Sequence, residues 1–461
     1  MKITEIEKII EKQHKFFISQ NTKSISGRKQ VLRALRKEIK THELEINEAL
    51  NNDFKKSAFE TYLTETSIVL AELDLTISSL QTWSKPERVR ASMLNFPSSD
   101  LIYREPYGSV LIIAPWNYPF QLALAPLIAA IAAGNTVILK PSELTPHTSA
   151  LICKIVAKVF TEDYVKVVEG GVEISQNLLN IRWDYIFFTG SVNVGRIVAQ
   201  AAAKNLTPVT LELGGKNPCI IDETAKLKLA TKRIVWGKFL NAGQTCIAPD
   251  YILIQEEIKE RFIDYLKIEI EKAYTKNPEE SPDYPRIISD KNFDRLTRML
   301  QDETIVIGGA SNKEDLYISP TVIDSPSLES EVMKDEIFGP ILPIIPYSID
   351  DDIFRVVNRY DKPLSLYVFS SKKKFMKKII ESFSFGGGVV NDTLVHFANH
   401  RLPFGGVGNS GIGAYHGKMG FDTFSHKKSM TTRANWLDIP FRYAPYKGKM
   451  NLMKKVMKYL G

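Results

Sequence analysis

The chain has 461 residues, of which 44% are hydrophobic and 25% charged, a composition typical of globular proteins. This length exceeds what one hydrophobic core usually supports, so we expect two domains. The net charge of +7 is too small to indicate a nucleic-acid partner, and three widely spaced cysteines argue against a disulfide framework and for a reducing, cytoplasmic compartment.

The N-terminal region, up to about residue 90, has three helical patterns. The clearest covers residues 31–39, where apolar side chains recur at helical spacing between Lys and Glu. Between Met1 and Gln13 charges alternate with isoleucines, and no apolar core precedes a cleavage site, so we predict no secretory signal. We expect these helices to pack against the rest of the protein.

From Leu101 onward, short apolar runs alternate with helix-length segments. The first block predicts strands at residues 109–114, 136–139, 165–168, 185–188 and 209–213. This spacing indicates βαβ units, and hence an α/β fold with a doubly wound, mostly parallel sheet of the dinucleotide-binding type. The apolar run 122–133 contains Pro126 and is too short for a membrane span of ~20 residues, so we predict a buried helix there.

A second alternating block predicts another α/β unit. Its strands are predicted at residues 219–221, 251–254, 317–323, 341–345, 366–369 and 389–391. We therefore predict a cofactor domain over 1–209, a second α/β domain over 210–396, and a terminal segment over 397–461 that folds back or meets a neighbouring subunit.

Two glycine-rich stretches are candidates for a phosphate site. The G-x-G-x-x-G spacing at 406–411 has no βαβ unit around it, so we reject it as a dinucleotide fingerprint. Gly190 and Ser191 instead end an apolar strand and open the helix 192–203, with Gly195 one turn in, so backbone N–H groups and the helix dipole point at a bound anion. The alternative is that Gly190 permits a tight turn and Gly195 close packing.

Lys140 and Glu143 close the preceding strand, at the edge where doubly wound sheets bind ligands. Their side chains are suited to holding ribose hydroxyls. The alternative is that they are ordinary surface residues beside a proline turn.

Cys246 and Glu212 are the candidate catalytic pair. A polarisable thiolate and a carboxylate base are the minimum needed to form a covalent thioester and then hydrolyse it. Cys246 follows an apolar helical stretch, 227–240, so it lies at a helix-to-loop corner among small residues. The alternative is an inert buried thiol, because free cysteine is among the most buried residue types.

Seven motifs together resemble the aldehyde dehydrogenase superfamily. In chain order they are PWNYPF (115–120), KPSE (140–143), FTGS (188–191), LELGGK (211–216), NAGQTCIAPDY (241–251), EIFGP (336–340) and PFGG (403–406). The resemblance extends to about residue 430. The sequence after the cysteine, with the short N-terminus, is similar to the class 3 branch, whose members oxidise medium- to long-chain aliphatic and aromatic aldehydes with NAD or NADP.

The resemblance implies a role for each catalytic residue. Cys246 would attack the aldehyde as a thiolate, Asn117 and the Cys246 N–H would hold the oxyanion, and Glu212 would activate the hydrolytic water. Without the resemblance, Asn117 is simply a loop residue that caps the helix after Pro119.

The resemblance also implies the cofactor contacts. Glu336 would bind the nicotinamide-side ribose, Phe338 would pack near the nicotinamide, and Gly214 would line the cofactor site. Lys140 and Glu143 match the adenosine-ribose contacts, and the charge of Glu143 favours NAD because it repels a 2′-phosphate. The cofactor is therefore expected to be NAD, with NADP tolerated, and the assembly a homodimer.

Other reaction classes stay open at this point. A cysteine hydrolase would use Cys246 but needs a histidine base, and none lies near it in sequence. A CoA-acylating dehydrogenase would pass the thioester to CoA, but such relatives commonly lack the glutamate at position 212. His396 and His400 have i, i+4 spacing without an evident third ligand, so we predict a structural or pocket-lining role and no metal.

The C-terminal tail has an amphipathic pattern. Its apolar residues are Met450, Met453, Val456, Met457 and Leu460, and Lys454, Lys455 and Lys458 lie largely on the other side. Such a helix is suited to the surface of an anionic membrane, or alternatively docks on a partner subunit or frays.

We further predict that four residues line the substrate pocket, namely Tyr62, Tyr118, Ile247 and Phe404.

Overall fold

The structure is a computed structural model that describes residues 3–438 and 440–460. Met1, at the start of the predicted signal-free N-terminus, therefore lies outside the described residues. Within the described part, the α-helices are α1 (Ile3–Ile18), α2 (Ile25–Thr41), α3 (Glu43–Phe54), α4 (Ala58–Thr61), α5 (Ser67–Trp83), α6 (Pro119–Ala133), α7 (Pro146–Val159), α8 (Val172–Leu179), α9 (Val192–Ala203), α10 (Leu227–Phe239), α11 (Lys259–Tyr274), α12 (Asp290–Arg298), α13 (Glu331–Lys334), α14 (Asp350–Val357), α15 (Lys373–Ser382), α16 (Gly417–Thr423) and α17 (Met450–Leu460).

The strands of the described residues form three larger sheets and a small two-stranded ladder. They are β1 (Glu87–Val89), β2 (Ser98–Pro106), β3 (Ser109–Ile113), β4 (Thr136–Lys140), β5 (Val165–Val167), β6 (Tyr185–Thr189), β7 (Val209–Glu212), β8 (Pro218–Ile221), β9 (Tyr251–Gln255), β10 (Ile305–Ile307), β11 (Ser311–Asn312), β12 (Tyr317–Ile318), β13 (Thr321–Asp324), β14 (Ile341–Tyr347), β15 (Ser365–Phe369), β16 (Gly387–Val390), β17 (Gly411–Ile412) and β18 (Ser425–Arg433).

The first sheet has the order β17-β7-β6-β3-β4-β5 and is parallel except for β17. Strands β3, β4 and β6 are buried along their whole length because helices cover both faces, which explains their continuous apolar runs. The first five predicted strands are therefore confirmed. Helix α6 is buried throughout, as predicted for residues 122–133.

The second sheet has the order β10-β13-β14-β9-β8-β15-β16, with only β10 antiparallel to its neighbour. The predicted mixed α/β class with parallel-dominated sheets is thus confirmed. Strand β7 belongs to the first sheet and β8 to the second, so the chain passes between sheets within residues 213–217. The domain boundaries themselves stay a prediction.

One predicted strand is wrong in its extent. The apolar stretch 317–323 forms two separate strands, β12 and β13, which pair in different sheets. Pro320 lies between them and has no N–H to donate to a ladder, so the strand breaks there.

A third sheet was not predicted. Strand β2 lies between β1 and β18, and β2 pairs with β18 over nine antiparallel residues, from Ser98 with Arg433 to Pro106 with Ser425. These strands are mostly exposed or half-buried, so they lack the buried apolar alternation by which strands are recognised in a sequence. The sheet ties the segment after Leu402 to the N-terminal half of the chain.

The N-terminal region contains more helices than the three predicted. Helices α1 to α5 all lie before residue 84, and a π-helical turn at Tyr62–Thr66 joins α4 to α5. Short helical turns interrupt the simple periodicity from which the prediction was made. Across residues 3–438 and 440–460, none of the helices combines the length and apolarity that crossing a membrane requires.

Candidate functional site

The predicted site residues follow the carboxyl ends of neighbouring strands in the first sheet. Asn117 lies in the loop after β3, Lys140 ends β4, Gly190 follows β6, and Glu212 ends β7. Because β7, β6, β3 and β4 are parallel neighbours, these ends share one edge of the sheet. The strand order reverses between β3 and β6, which is the switch point at which doubly wound sheets bind ligands.

Cys246 lies in a loop that begins with a left-handed corner. Helix α10 ends at Phe239, and residues 241–243 have φ angles of 55°, 51° and 72°. A Cβ atom on Gly243 would lie 2.2 Å from the carbonyl oxygen of Gly339, so only glycine fits there. This corner breaks the helix and directs the cysteine loop toward the edge of the first sheet.

The thiol and the carboxyl group both have raised pKa values. Burial, followed by the negative charges of Glu336 and Glu212, raises the pKa of the Cys246 thiol, and the N–H groups of Cys246 and Ile247 lower it less. Burial also raises the pKa of Glu212 well above its usual range, and neither of its oxygens has a hydrogen-bond partner among the described residues. Cys246 is therefore a neutral thiol at neutral pH in this state.

Asn117 is fixed by the cysteine loop. Its Nδ2 donates to the carbonyl of Gln244 at 3.1 Å, and its own carbonyl accepts from Asn241 Nδ2 at 2.8 Å. The amide has a second Nδ2 hydrogen that can donate to another acceptor. The capping alternative is wrong, since α6 begins after Tyr118 without a side-chain cap.

Cys246 and Glu212 line one cavity of ≈ 290 Å³. Most of its wall is apolar, and the apolar lining includes Leu63, Ile68, Leu122, Leu213, Trp236, Leu240, Ile247, Leu364, Leu394, Val395, Phe397, Ala398 and Phe404. A cavity of this kind accepts an apolar chain.

Three of the four predicted pocket neighbours line this cavity: Tyr118, Ile247 and Phe404. The prediction of Tyr62 is wrong, because its side chain is 47% exposed and is not part of the lining. Its neighbours Leu63 and Thr64, from the same π-helical turn, face the cavity instead.

The candidate phosphate and ribose residues lie at the carboxyl ends of β6 and β4, which are separated by β3 in the first sheet. Lys140 Nζ is buried and pairs with Glu143 Oε2 at 2.5 Å. Ser191 caps α9 by accepting from Val194 N–H. A Cβ on Gly190 would meet the Phe188 ring at 2.5 Å, so a larger residue does not fit this turn.

Gly195 and Gly214 allow close approach by neighbouring side chains. A Cβ on Gly195 would lie 2.6 Å from Leu213, and one on Gly214 would lie 2.2 Å from a carboxylate oxygen of Glu336. Gly195 thus lets α9 pack closely against Leu213, and its place in the phosphate site stays a prediction. Gly214 lets the Glu336 carboxylate approach the backbone next to Glu212.

Glu336 and Phe338 lie on the second sheet's side of the site. Burial and then the charge of Asp250 raise the pKa of Glu336 to about 8. Phe338 has a φ of 51°, and its ring packs edge-on against Trp116 with centroids 5.3 Å apart. This left-handed turn holds an aromatic ring near the carboxylate.

Sequence reasoning missed an apolar strip on α9. Val194 and Ile197 are 43% and 54% exposed, one and two turns after Gly190. Two exposed apolar residues at i, i+3 spacing beside a phosphate-binding turn were the available signal. Lys140 and Glu143 provide polar groups for a ribose, and the strip of Val194 and Ile197 provides an apolar surface for a base. The residues present therefore fit a dinucleotide.

The mouth of the cavity was also missed. Leu63, Trp236 and Val395 are each about 40% exposed and border the opening. In the sequence these three residues look like core positions of helices. Only the packing of separate segments shows that they lie at the opening of the cavity.

The two candidate histidines lie behind the cavity wall. Burial lowers the pKa of His396 to about 4, and its ring stacks on Phe404, a lining residue. His400 Nδ1 lies 2.8 Å from Glu72 Oε2. Within residues 3–438 and 440–460, no three His, Cys, Asp or Glu side chains gather in a way that could hold a metal ion.

Comparison with known proteins gives concordant matches. The model of the aldehyde dehydrogenase family matches residues 1–430. The chain is 49% identical to the 4,4'-diaponeurosporen-aldehyde dehydrogenase of Staphylococcus aureus, covering 96% of this chain and 97% of the relative. It is 46% identical to aldehyde dehydrogenase family 3 member H1 of Arabidopsis thaliana, covering 90% and 87%.

A solved structure of Staphylococcus aureus AldH in its substrate-bound state superposes with a TM-score of 0.96 and 48% identity, covering 98% of this chain and 99% of that one. The resemblance to the class 3 branch is thereby confirmed, and so is the expected use of NAD or NADP. The chain belongs to the aldehyde dehydrogenase family and is an NAD(P)-dependent enzyme that oxidises aldehydes.

Proposed function

We propose that this enzyme oxidises medium- to long-chain aliphatic or aromatic aldehydes to carboxylates, with Cys246 as nucleophile, Asn117 as oxyanion donor and Glu212 as general base. One observation carries the proposal: Cys246 and Glu212 line the same largely apolar cavity. Asn117, which hydrogen-bonds the cysteine loop, lies beside them.

In the first half-reaction, Cys246 Sγ forms a bond to the carbonyl carbon, the carbon–oxygen π bond breaks, and the thiol proton passes to a water molecule in the cavity. The second Nδ2 hydrogen of Asn117 and the Cys246 N–H hold the oxyanion of the resulting thiohemiacetal. When bound, NAD(P) supplies the hydride acceptor, and loss of the hydride leaves a thioester on Cys246.

In the second half-reaction, Glu212 takes a proton from a water molecule as that water attacks the thioester carbon. The carbon–sulfur bond then breaks, the carboxylate leaves, and the Cys246 thiol is restored. Neither oxygen of Glu212 has a hydrogen-bond partner among the described residues, so both oxygens can bind this water. Its raised pKa gives it more basicity than an exposed carboxylate.

The remaining cofactor roles follow the geometry of the cleft. Lys140 and Glu143 would hold the adenosine ribose, and the N-terminus of α9, with Gly190, Ser191 and Gly195, the pyrophosphate. Val194 and Ile197 provide an apolar surface for the adenine. Glu336 would bind the second ribose beside Gly214, with Phe338 packing near the nicotinamide.

The substrate class is tested by NADH formation with hexanal, decanal and benzaldehyde. Each methylene buried in the cavity contributes ~0.8 kcal/mol, so the four extra methylenes of decanal, if all are buried, should raise kcat/KM about 200-fold over hexanal. Added coenzyme A should leave the rate unchanged. Equal kcat/KM for all three aldehydes would contradict an apolar-chain pocket, and formation of acyl-CoA would favour the CoA-acylating alternative.

We further propose a cytoplasmic homodimer, built partly from residues after Leu402. All three cysteines are free, as in a reducing compartment. The β1-β2-β18 sheet exposes β18 as an edge strand, and β16 is the exposed edge of the second sheet. Proteins cover such edges, and pairing β18 of one copy with β16 of another would cover both.

We also propose that the tail helix α17 rests on anionic membranes. Met450 and Met457 are 66% and 46% exposed on one side of the helix, with the lysines of the same helix largely opposite. The side chain of Leu460, predicted for the same face, lies outside the described residues.

Deleting residues 447–461 tests the tail, and light scattering on the intact chain tests the dimer. We expect the truncated protein to keep the dimer mass in light scattering, because β18 is retained, and to lose co-sedimentation with phosphatidylserine liposomes. Unchanged liposome binding would contradict the membrane role. A monomer mass for the intact chain would contradict the proposed dimer.

A further inference from the structure

A buried ionic cluster lies behind the cysteine loop and has no part in the mechanism above. It consists of Lys56, Glu60 and Glu65. Lys56 Nζ bonds Glu65 Oε1 at 2.6 Å, with both side chains fully buried, and Glu60 is 6% exposed. The Lys56–Glu65 ion pair thus lies in the interior, and the Lys56 charge also favours the ionised form of the nearby Glu60. Replacing such a buried ion pair by apolar residues often makes a protein more stable. A contribution to stability therefore does not explain well why these charged residues lie in the interior.

Glu65 connects the cluster to the loop that contains Asn117. Its Oε2 accepts from the N–H of Phe120 at 2.8 Å and of Gln121 at 3.2 Å, in the first turn of α6. Glu65 itself sits in the π-helical turn that precedes α5, a distortion found frequently at functional sites. Its carboxylate therefore fixes where α6 begins, two residues after Asn117.

Lys56 reaches the same loop through an aromatic ring. Its Nζ lies 4.4 Å from the centroid of the Tyr118 ring, and the Tyr118 hydroxyl lies 2.6 Å from Thr245 Oγ1. Thr245 is the residue before Cys246, so the cluster contacts both loops of the site.

Glu60 makes the most direct connection. Its Oε1 accepts from the backbone N–H of Asn241 at 2.8 Å, and Asn241 begins the left-handed corner before the nucleophile. The Asn241 side chain in turn donates to the carbonyl groups of Asn117 and of Gln244, at 2.8 Å and 3.1 Å. Glu60 is thus joined by a single hydrogen bond to the corner that orients both Asn117 and the cysteine loop.

We propose that Glu60 is a positioning residue for the attack of Cys246 on the aldehyde. By holding the Asn241 N–H, it keeps the strained corner in the one conformation in which the Asn117 amide and the Cys246 N–H converge on the oxyanion. This inference rests on the roles proposed for Cys246 and Asn117.

The test compares Glu60→Ala and Glu60→Gln with the wild type in a pre-steady-state measurement of the NADH burst, expressed per folded site. Glu60→Ala should lower the burst rate about 10- to 100-fold, as expected for a sub-ångström misplacement of reacting groups, with KM for NAD changed less than about two-fold. Glu60→Gln should recover the rate to within about three-fold, because its amide oxygen can accept the same N–H.

Asp184→Ala is the matched control. Asp184 also accepts a backbone N–H at 2.8 Å, from Ser109, but at the amino end of β3, the opposite edge of the sheet from the site. This variant should lower Tm and keep the wild-type burst rate.

A wild-type burst rate in folded Glu60→Ala, or a burst rate in Glu60→Gln as low as in Glu60→Ala, overturns the proposal. If Glu60→Ala does not fold, Glu60→Asp, whose shorter side chain withdraws the oxygen from Asn241, is judged by the same burst rate. Activity retained in Cys246→Ala would overturn the proposed mechanism itself. An inactive Cys246→Ala with fully active Glu60 variants overturns only the positioning role.

Discussion

Replacing Cys246 by alanine should abolish aldehyde oxidation. The thiol forms the covalent bond on which both half-reactions depend, and loss of a nucleophile typically costs about 10⁴-fold or more in kcat. We expect no NADH burst and no steady-state turnover with decanal, while NAD binding, measured by titration calorimetry, stays within about two-fold of the wild type. Retained binding would show that the cofactor cleft is intact.

Cys153→Ala is the matched control for this experiment. Cys153 is a partly buried thiol on α7, away from the cavity. Its replacement should leave kcat unchanged. Activity in Cys246→Ala, or inactivity in Cys153→Ala with a normal Tm, would contradict the assignment of Cys246 as nucleophile.

Replacing Glu212 by glutamine should separate the two half-reactions. Glutamine keeps the shape of the side chain but cannot accept the proton of water, so the thioester should accumulate. We expect a burst of about one NADH per site, followed by turnover that is about 10²- to 10⁴-fold slower than in the wild type. Mass spectrometry of the quenched enzyme should detect the acyl group on Cys246.

The pH dependence of hydrolysis provides a second readout. Because burial raises the pKa of Glu212, its carboxyl group is largely protonated below that value and acts as a base only above it. Wild-type hydrolysis should therefore speed up as the pH rises through the raised pKa of Glu212, and Glu212→Gln should lose that rise.

The control for Glu212 is Glu162→Gln, which changes a surface carboxylate paired with Lys166. This variant should match the wild type in burst and steady state. Unchanged steady-state turnover in Glu212→Gln would exclude Glu212 as the base for hydrolysis.

Structural features that depend on residues close together in sequence could be predicted well. The first five strands are continuous apolar runs because helices cover both faces of their sheet, so their local pattern reports their burial directly. For the same reason Asn117, Lys140, Gly190 and Glu212 could be placed after strands, and parallel strands bring their carboxyl ends together.

Contacts between distant segments could not be predicted. Strand β18 pairs with β2 across more than 300 residues, and neither has a buried apolar alternation. Glu60 contacts Asn241 across 181 positions, and nothing in its own helix distinguishes it from a surface glutamate. The exposed strip of Val194 and Ile197 likewise becomes visible only when burial is known.

The sequence by itself determined the α/β class, the family and the identity of the nucleophile and base candidates, because each depends on residue types at short spacing. Only the tertiary structure decided which side chains line the cavity, how the left-handed corner is held and how Asn117 is oriented. Those properties depend on distances between residues far apart in the chain, and such distances are set by how the sheets and helices pack together rather than by any local pattern.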